Sequence, residues 1–159
     1  MEMQLDKLYS DIAERILDML PEDKWEEINL HAEILDDSSN VYFYFNTQAD
    51  KEFQYSHDIP NIYGVSDEIY DELLTELNGK FEELRGIFIH NGQEKWTNVT
   101  VVLKYPSKFK INFGYEDILA SKISPTQRQM IFEYQYLGIF PNGEENKKII
   151  ENFVKSQAE

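Results

Sequence analysis

The chain has no cysteine, only seven glycines and five prolines among 159 residues, and 15 lysines and arginines against 30 acids. Without a thiol, disulfide staples and thiolate catalysis are excluded, and a reducing compartment is permitted without being required. The glycines stand singly, so there is no G-x-S-x-G elbow, Walker loop or dinucleotide fingerprint, which disfavours acyl-transfer and phosphate-cradling enzymes. No repeat and no Pro/Gly/Ser-rich linker divides the sequence, so a single domain over residues 1–159 is expected, long enough to bury roughly two-thirds of its extended surface. No stretch approaches the ~20 apolar residues of a membrane span. The N-terminal Met-Glu-Met-Gln-Leu-Asp lacks the basic and apolar regions of a signal peptide, so the cytoplasm is the expected location.

The shortage of bases leaves a formal charge of −15, combined with 2 Trp, 10 Tyr and 10 Phe. That charge is unevenly spread. Residues 1–60 hold 15 acids against 4 bases, residues 61–95 hold 8 against 3, and the remainder holds 7 against 8. A negative N-terminal half repels nucleic acid and anionic membrane while attracting a basic protein at long range, with strong salt dependence. The plainer alternative is a solvated surface that keeps the protein in solution. Lys104, Lys108 and Lys110 cluster near a hairpin tip, but three cations do not make the broad footprint that DNA binding requires.

The apolar spacing predicts an α+β fold. Leu5, Leu8, Ile12, Ile16, Met19 and Leu20 recur at three- and four-residue steps, an amphipathic helix that Pro21 stops. Ile28, Leu30, Ala32 and Ile34 alternate with polar residues, and after the Asp36–Asn40 turn comes Val41-Tyr42-Phe43-Tyr44-Phe45. A third strand is expected over Phe53–Asp58, completing an antiparallel meander. Ser66 should cap a long helix with the stripe Ile69, Leu73, Leu77, Phe81, Leu84 and Phe88; Gly79 within it predicts a bend or a close helix contact. The alternating runs ending at Tyr105 and starting at Phe109 form a hairpin around Pro106-Ser107. Ser124-Pro125 starts a helix that Gly138 ends, and Glu144–Gln157 forms a last one. The expected architecture is an antiparallel sheet of about five strands with helices packed mainly on one face.

Strand parity then singles out two rings. If Val41, Phe43 and Phe45 face the helices, Tyr42 and Tyr44 face the other way, beside His31, Glu33, Gln54 and Asp58. Tyrosines among polar groups are common at interface centres, because they offer rigid apolar area with a hydrogen-bonding tip. The alternative is that the last helix or a loop covers them.

Chemistry is sparse. His31, His57 and His90 are isolated and form no metal-ligand spacing, and acid pairs such as Asp36-Asp37, Glu82-Glu83 and Glu116-Asp117 arise by chance in so acidic a chain. No catalytic residue, metal or cofactor is expected.

Several short motifs nevertheless occur in a recognisable order: Lys7-Leu8-Tyr9 to Trp25-Glu26, Val41–Phe45, Glu83-Leu84-Arg85, Trp96-Thr97, Phe113-Gly114-Tyr115-Glu116-Asp117 and Tyr136-Leu137-Gly138-Ile139-Phe140-Pro141. Over nearly its whole length the chain resembles the YezG/EsaG-like antitoxin, or immunity, proteins. That resemblance implies a small non-enzymatic cytosolic protein that binds the C-terminal nuclease domain of a polymorphic toxin exported through a type VII-like pathway. An acidic inhibitor suits such a partner, since a nuclease presents a cationic cleft to DNA. Within this reading Asp36, Asp37, Asp50, Glu52 and Asp58 are candidates for steering, and Tyr42, Tyr44 and Trp96 for anchoring. By their place in the family pattern Tyr115 and Asp117 are further candidates, with a core-closing tyrosine and a turn-capping aspartate as the alternatives. Two other classes remain open: an acidic adaptor or chaperone without inhibitory activity, and a small hydrolase, which would need polar groups converging in one pocket. The oligomeric state is not legible.

Overall fold

A computed structural model describes residues 1–20 and 24–158; the stop expected at Pro21 lies outside them. In chain order the elements are α1 (Glu2–Met19), β1 (Trp25–Ile34), β2 (Ser39–Thr47), β3 (Gln54–Tyr55), a 3-10 turn (Ser56–Asp58), α2 (Ile59–Tyr63), α3 (Asp67–His90), β4 (Asn98–Lys104), β5 (Lys108–Gly114), α4 (Pro125–Leu137) and α5 (Glu144–Ala158). They fall into two compact units, residues 1–116 and 117–159. The α+β class holds: the first unit carries an antiparallel five-stranded sheet with helices on one face.

The sheet order is β3-β2-β1-β4-β5, so β1 lies at the centre, paired with β2 on one side and β4 on the other. Ile28, Leu30, Ala32 and Ile34 of β1, Val41, Phe43 and Phe45 of β2, and Val99, Val101 and Leu103 of β4 all point to one face. There they meet Leu8, Ile12, Ile16 and Met19 of α1 and Leu77, Phe81 and Leu84 of α3 in a single cluster. The two helices bury their stripes on the sheet because each apolar side chain taken fully out of water contributes about 1.5–3 kcal/mol.

Local signals placed the helix ends. The Ser66 hydroxyl accepts from the Ile69 amide at the start of α3, and Ser124 and Gln127 form a reciprocal capping box at the start of α4. Gly138 ends α4 in the left-handed region at φ +70°, where a glycine meets no Cβ clash.

Three expectations are corrected. The third strand is only Gln54–Tyr55, because the chain turns at once into the 3-10 segment and α2. Its register sets Tyr55 opposite Tyr44 and Gln54 opposite Phe45, so Tyr55 and not Gln54 shares the tyrosine face. In α3, Ile69 is 53% exposed and Tyr70 is buried instead. Repeated four-residue steps drift around a helix: at about 100° per residue, position 69 stands about 80° from Leu77 whereas position 70 stands about 20° from it. Finally, the close helix contact offered as one reason for Gly79 is overturned: nothing lies within 4 Å of where its Cβ would be, and α3 is continuous from Asp67 to His90.

Candidate partner-binding surface

The turn between β1 and β2 carries Asp36 and Asp37, and the segment after β2 carries Asp50 and Glu52; all four are exposed. These pairs sit at opposite ends of the nine-residue strand β2, and at about 3.3 Å per residue they are roughly 25 Å apart. They do not form one patch. Each is also held differently. The Asp50 carboxylate accepts from the Glu52 amide at 3.0 Å, which stiffens its own turn. Asp58 is exposed at the end of the 3-10 segment.

Asp36 is engaged across the fold. The buried Arg85 of α3 donates from Nη1 to Asp36 Oδ1 at 3.0 Å and from Nε to the Trp96 carbonyl at 2.9 Å. Lys95 Nζ lies 4.0 Å from the same carboxylate. The Arg85 hydrogen bond, followed by the Lys95 charge, holds the Asp36 carboxyl below its ordinary value of 3.8. Asp37 and Glu82 flank this cluster with no ion pair among the described residues.

The aromatic candidates are packed. Tyr42 and Tyr44 do lie on the face opposite Phe43, as parity requires, but they are only 3% and 5% exposed. Tyr42 is 5.6 Å from the His31 ring, and Tyr44 is 5.3 Å from Tyr55, centroid to centroid. They are therefore not an open tyrosine surface. Trp96 is fully buried, its ring 5.5 Å from that of Phe113. A protein docking on the folded surface does not reach it, and the anchoring role expected for it is corrected to a core one. Tyr115 is 44% exposed, and Asp117 accepts from the Ala120 amide at 3.2 Å, capping a turn.

At the other end of α3 a neutral network forms. Ser56 is fully buried and its hydroxyl accepts from the Phe43 amide at 3.0 Å. His57 Nδ1 lies 2.7 Å from the Tyr70 hydroxyl oxygen, where a neutral ring accepts a hydrogen bond that the phenol O–H donates. Burial pushes the Tyr70 hydroxyl up to about 12, the Ser56 hydrogen bond opposing this, and burial pushes His57 below its ordinary 6.5 against the pull of Asp58 and Asp71.

Sequence reasoning missed the solvent side of α3. Glu68, Asp71, Glu72 and Glu76 are exposed and line one open hollow along that helix. Their spacing of three and four residues was the available signal. Among the described residues no group of three or more His, Asp or Glu side chains is placed to hold a metal ion, and no helix is long and apolar enough to cross a membrane.

With that surface in view, the comparisons decide the family. A model of the immunity protein YezG-like family matches residues 5–151. The chain belongs to the YezG-like immunity proteins. It is 45% identical to Immunity protein YezG of Bacillus spizizenii over 94% of this chain and 92% of the relative. To Immunity protein YezG of Bacillus subtilis it is 41% identical, over 92% and 97%. The Type VII secretion system protein EsaG of Staphylococcus aureus is 32% identical over 99% and 98%. Membership of this family makes immunity, the neutralising of a toxin, the general function.

Proposed function

We propose that this YezG-like protein neutralises its toxin by binding, without catalysis, a basic nuclease domain in the cytoplasm. The observation that carries the reading is the −15 charge on a chain whose family is one of immunity proteins. A DNA-cleaving domain holds the phosphate backbone with cationic side chains, so a strongly acidic protein is drawn to it quickly and competes for the same surface. The exposed acids at both ends of β2 and along α3 give the field several sources, which suits steering over a broad basic cleft better than a single contact.

The test is co-expression of this chain with the C-terminal nuclease domain of a candidate toxin, a toxin-like gene adjacent to its own being the first to try, followed by purification and a DNA-cleavage assay. Co-purification with loss of cleavage is expected. A nuclease that neither co-purifies nor loses activity overturns the reading. Co-purification with full cleavage would instead identify an adaptor or chaperone, a reading to which the secretion-system name of the staphylococcal relative lends some support.

A further inference from the structure

Between the β1–β2 turn and the last third of α3 lies a cavity of about 470 Å³, lined among others by Leu35, Asp37, Glu82, Arg85, Gly86 and Ile89. One wall is apolar: Ile34 is buried beneath it and Ile89 is 42% exposed. Gly86 contributes no side chain, and nothing lies within 4 Å of where its Cβ would be, so the helix leaves the cavity unobstructed there. The volume is more than tenfold the share of one liquid water, about 30 Å³. A long side chain fits together with its waters.

The charges around it are already sorted. The two nearby cations, Arg85 and Lys95, both face Asp36. Asp37 and Glu82 are left without an ion pair among the described residues, in a molecule whose net charge adds to their potential. An anion entering here would meet two uncompensated carboxylates and a guanidinium whose charge Asp36 already balances. A long cationic side chain meets the reverse: apolar surface for its methylenes and two carboxylates for its head. Asp36, which accepts a hydrogen bond from Arg85 at 3.0 Å, keeps the guanidinium from repelling that visitor.

We propose that this cavity receives a lysine or arginine side chain of the neutralised toxin domain, an inference that rests on the function proposed above and names its point of contact. It makes Asp37, Glu82 and the side-chain-free position 86 determinants of affinity, while the other exposed acids supply mainly approach rate.

The experiment measures association and dissociation of the full chain with the toxin nuclease domain that it co-purifies with, together with inhibition of DNA cleavage. The variants are Asp37→Asn/Glu82→Gln, Gly86→Phe, and Glu2→Gln as a control on an exposed acid of α1. All the changed positions are exposed, so the acid-to-amide variants should melt with the parent chain, and Gly86→Phe, which removes a glycine from the helix interior, should melt at or above it. The expected result is an affinity loss of about tenfold or more in the first two variants, chiefly through faster dissociation, with the dissociation rate of the control unchanged. Exchanging a cationic residue of the nuclease for glutamate should be rescued by Asp37→Lys, which would identify the occupant. If the unmodified chain binds and inhibits while both cavity variants equal it, the cavity inference is overturned and the proposed function survives. If the unmodified chain does not bind, the functional reading fails first. A change in self-association with nuclease binding unaltered would assign the cavity to a second copy of the chain and overturn the inference as well.

Discussion

Near its start α3 buries Tyr70 against His57 and Ser56, and near its end it buries Arg85 against Asp36 and the Trp96 carbonyl. The same helix thus satisfies polar groups by two opposite means. At the first end desolvation prevails: His57 is pushed toward its neutral form and the Tyr70 phenol is held protonated. At the second end a guanidinium cannot give up its proton, so the fold supplies a carboxylate at the rim and a carbonyl inside. The lesson is that an acidic protein can spend its acids selectively. Asp58 and Asp71 are close enough to pull on His57 yet do not outweigh burial, whereas Asp36 is bound directly.

The largest expected effect comes from breaking the charged end. Arg85→Met should lower stability by roughly 3 kcal/mol, since it strips the buried Trp96 carbonyl of its donor. Urea unfolding checks this, and Arg85→Lys should recover only part of the loss because an ammonium cannot reach both acceptors in one plane. A loss under about 1 kcal/mol would mean that the Trp96 carbonyl finds another donor.

Tyr70→Phe attacks the neutral end and should cost about 1 kcal/mol, the net worth of a hydrogen bond between uncharged groups. If it cost as much as Arg85→Met, the contrast between the two ends would collapse. Gly79→Ala lies between them and touches neither network; it should stabilise the chain by roughly 0.5–1 kcal/mol through helix propensity alone. A destabilised Gly79→Ala protein, in the same urea titration, would reveal a close contact at that position.

The smallest effect is on pH dependence. His57 has a folded-state value below its ordinary 6.5, so the unfolded chain binds its proton first. Stability from this group is intact above 6.5 and is lost as pH falls through the interval below it. Asp36 also has a lowered value, but its window lies below 3.8; its stabilisation is present above that pH and is lost as the carboxyl protonates. Urea midpoints at pH 7.5 and 5.5 should therefore differ less in His57→Gln than in the parent chain, and Asp36→Asn should leave that difference unchanged. Equal differences in His57→Gln and the parent would remove His57 from the account.

Much of this architecture was readable from residues close together in sequence. Ser66, Ser124 and Gly138 marked helix ends because capping acts within one turn, and Ile28 to Ile34 marked a half-buried strand because the pleat alternates every residue. The candidate surface was only partly readable. Asp36 and Asp37 stand out in any charge count, but that the first of them is tied to Arg85 depends on a contact spanning 49 residues. Tyr42 and Tyr44 were placed on the correct face and yet lie buried, and Trp96, an aromatic beside polar residues in sequence, lies wholly inside.

By itself, then, the sequence determined the α+β class, the helix ends, the parity of β2, the excess of negative charge and, through an ordered set of short motifs, the family. Tertiary structure alone decided that β1 lies at the sheet centre, that Arg85 and Asp36 meet, and that Asp37, Glu82 and Gly86 border one cavity. The reason is range. Propensity, capping and pleat act over at most one helical turn, whereas the neighbours of a strand or a buried charge are set by which distant surfaces leave water together.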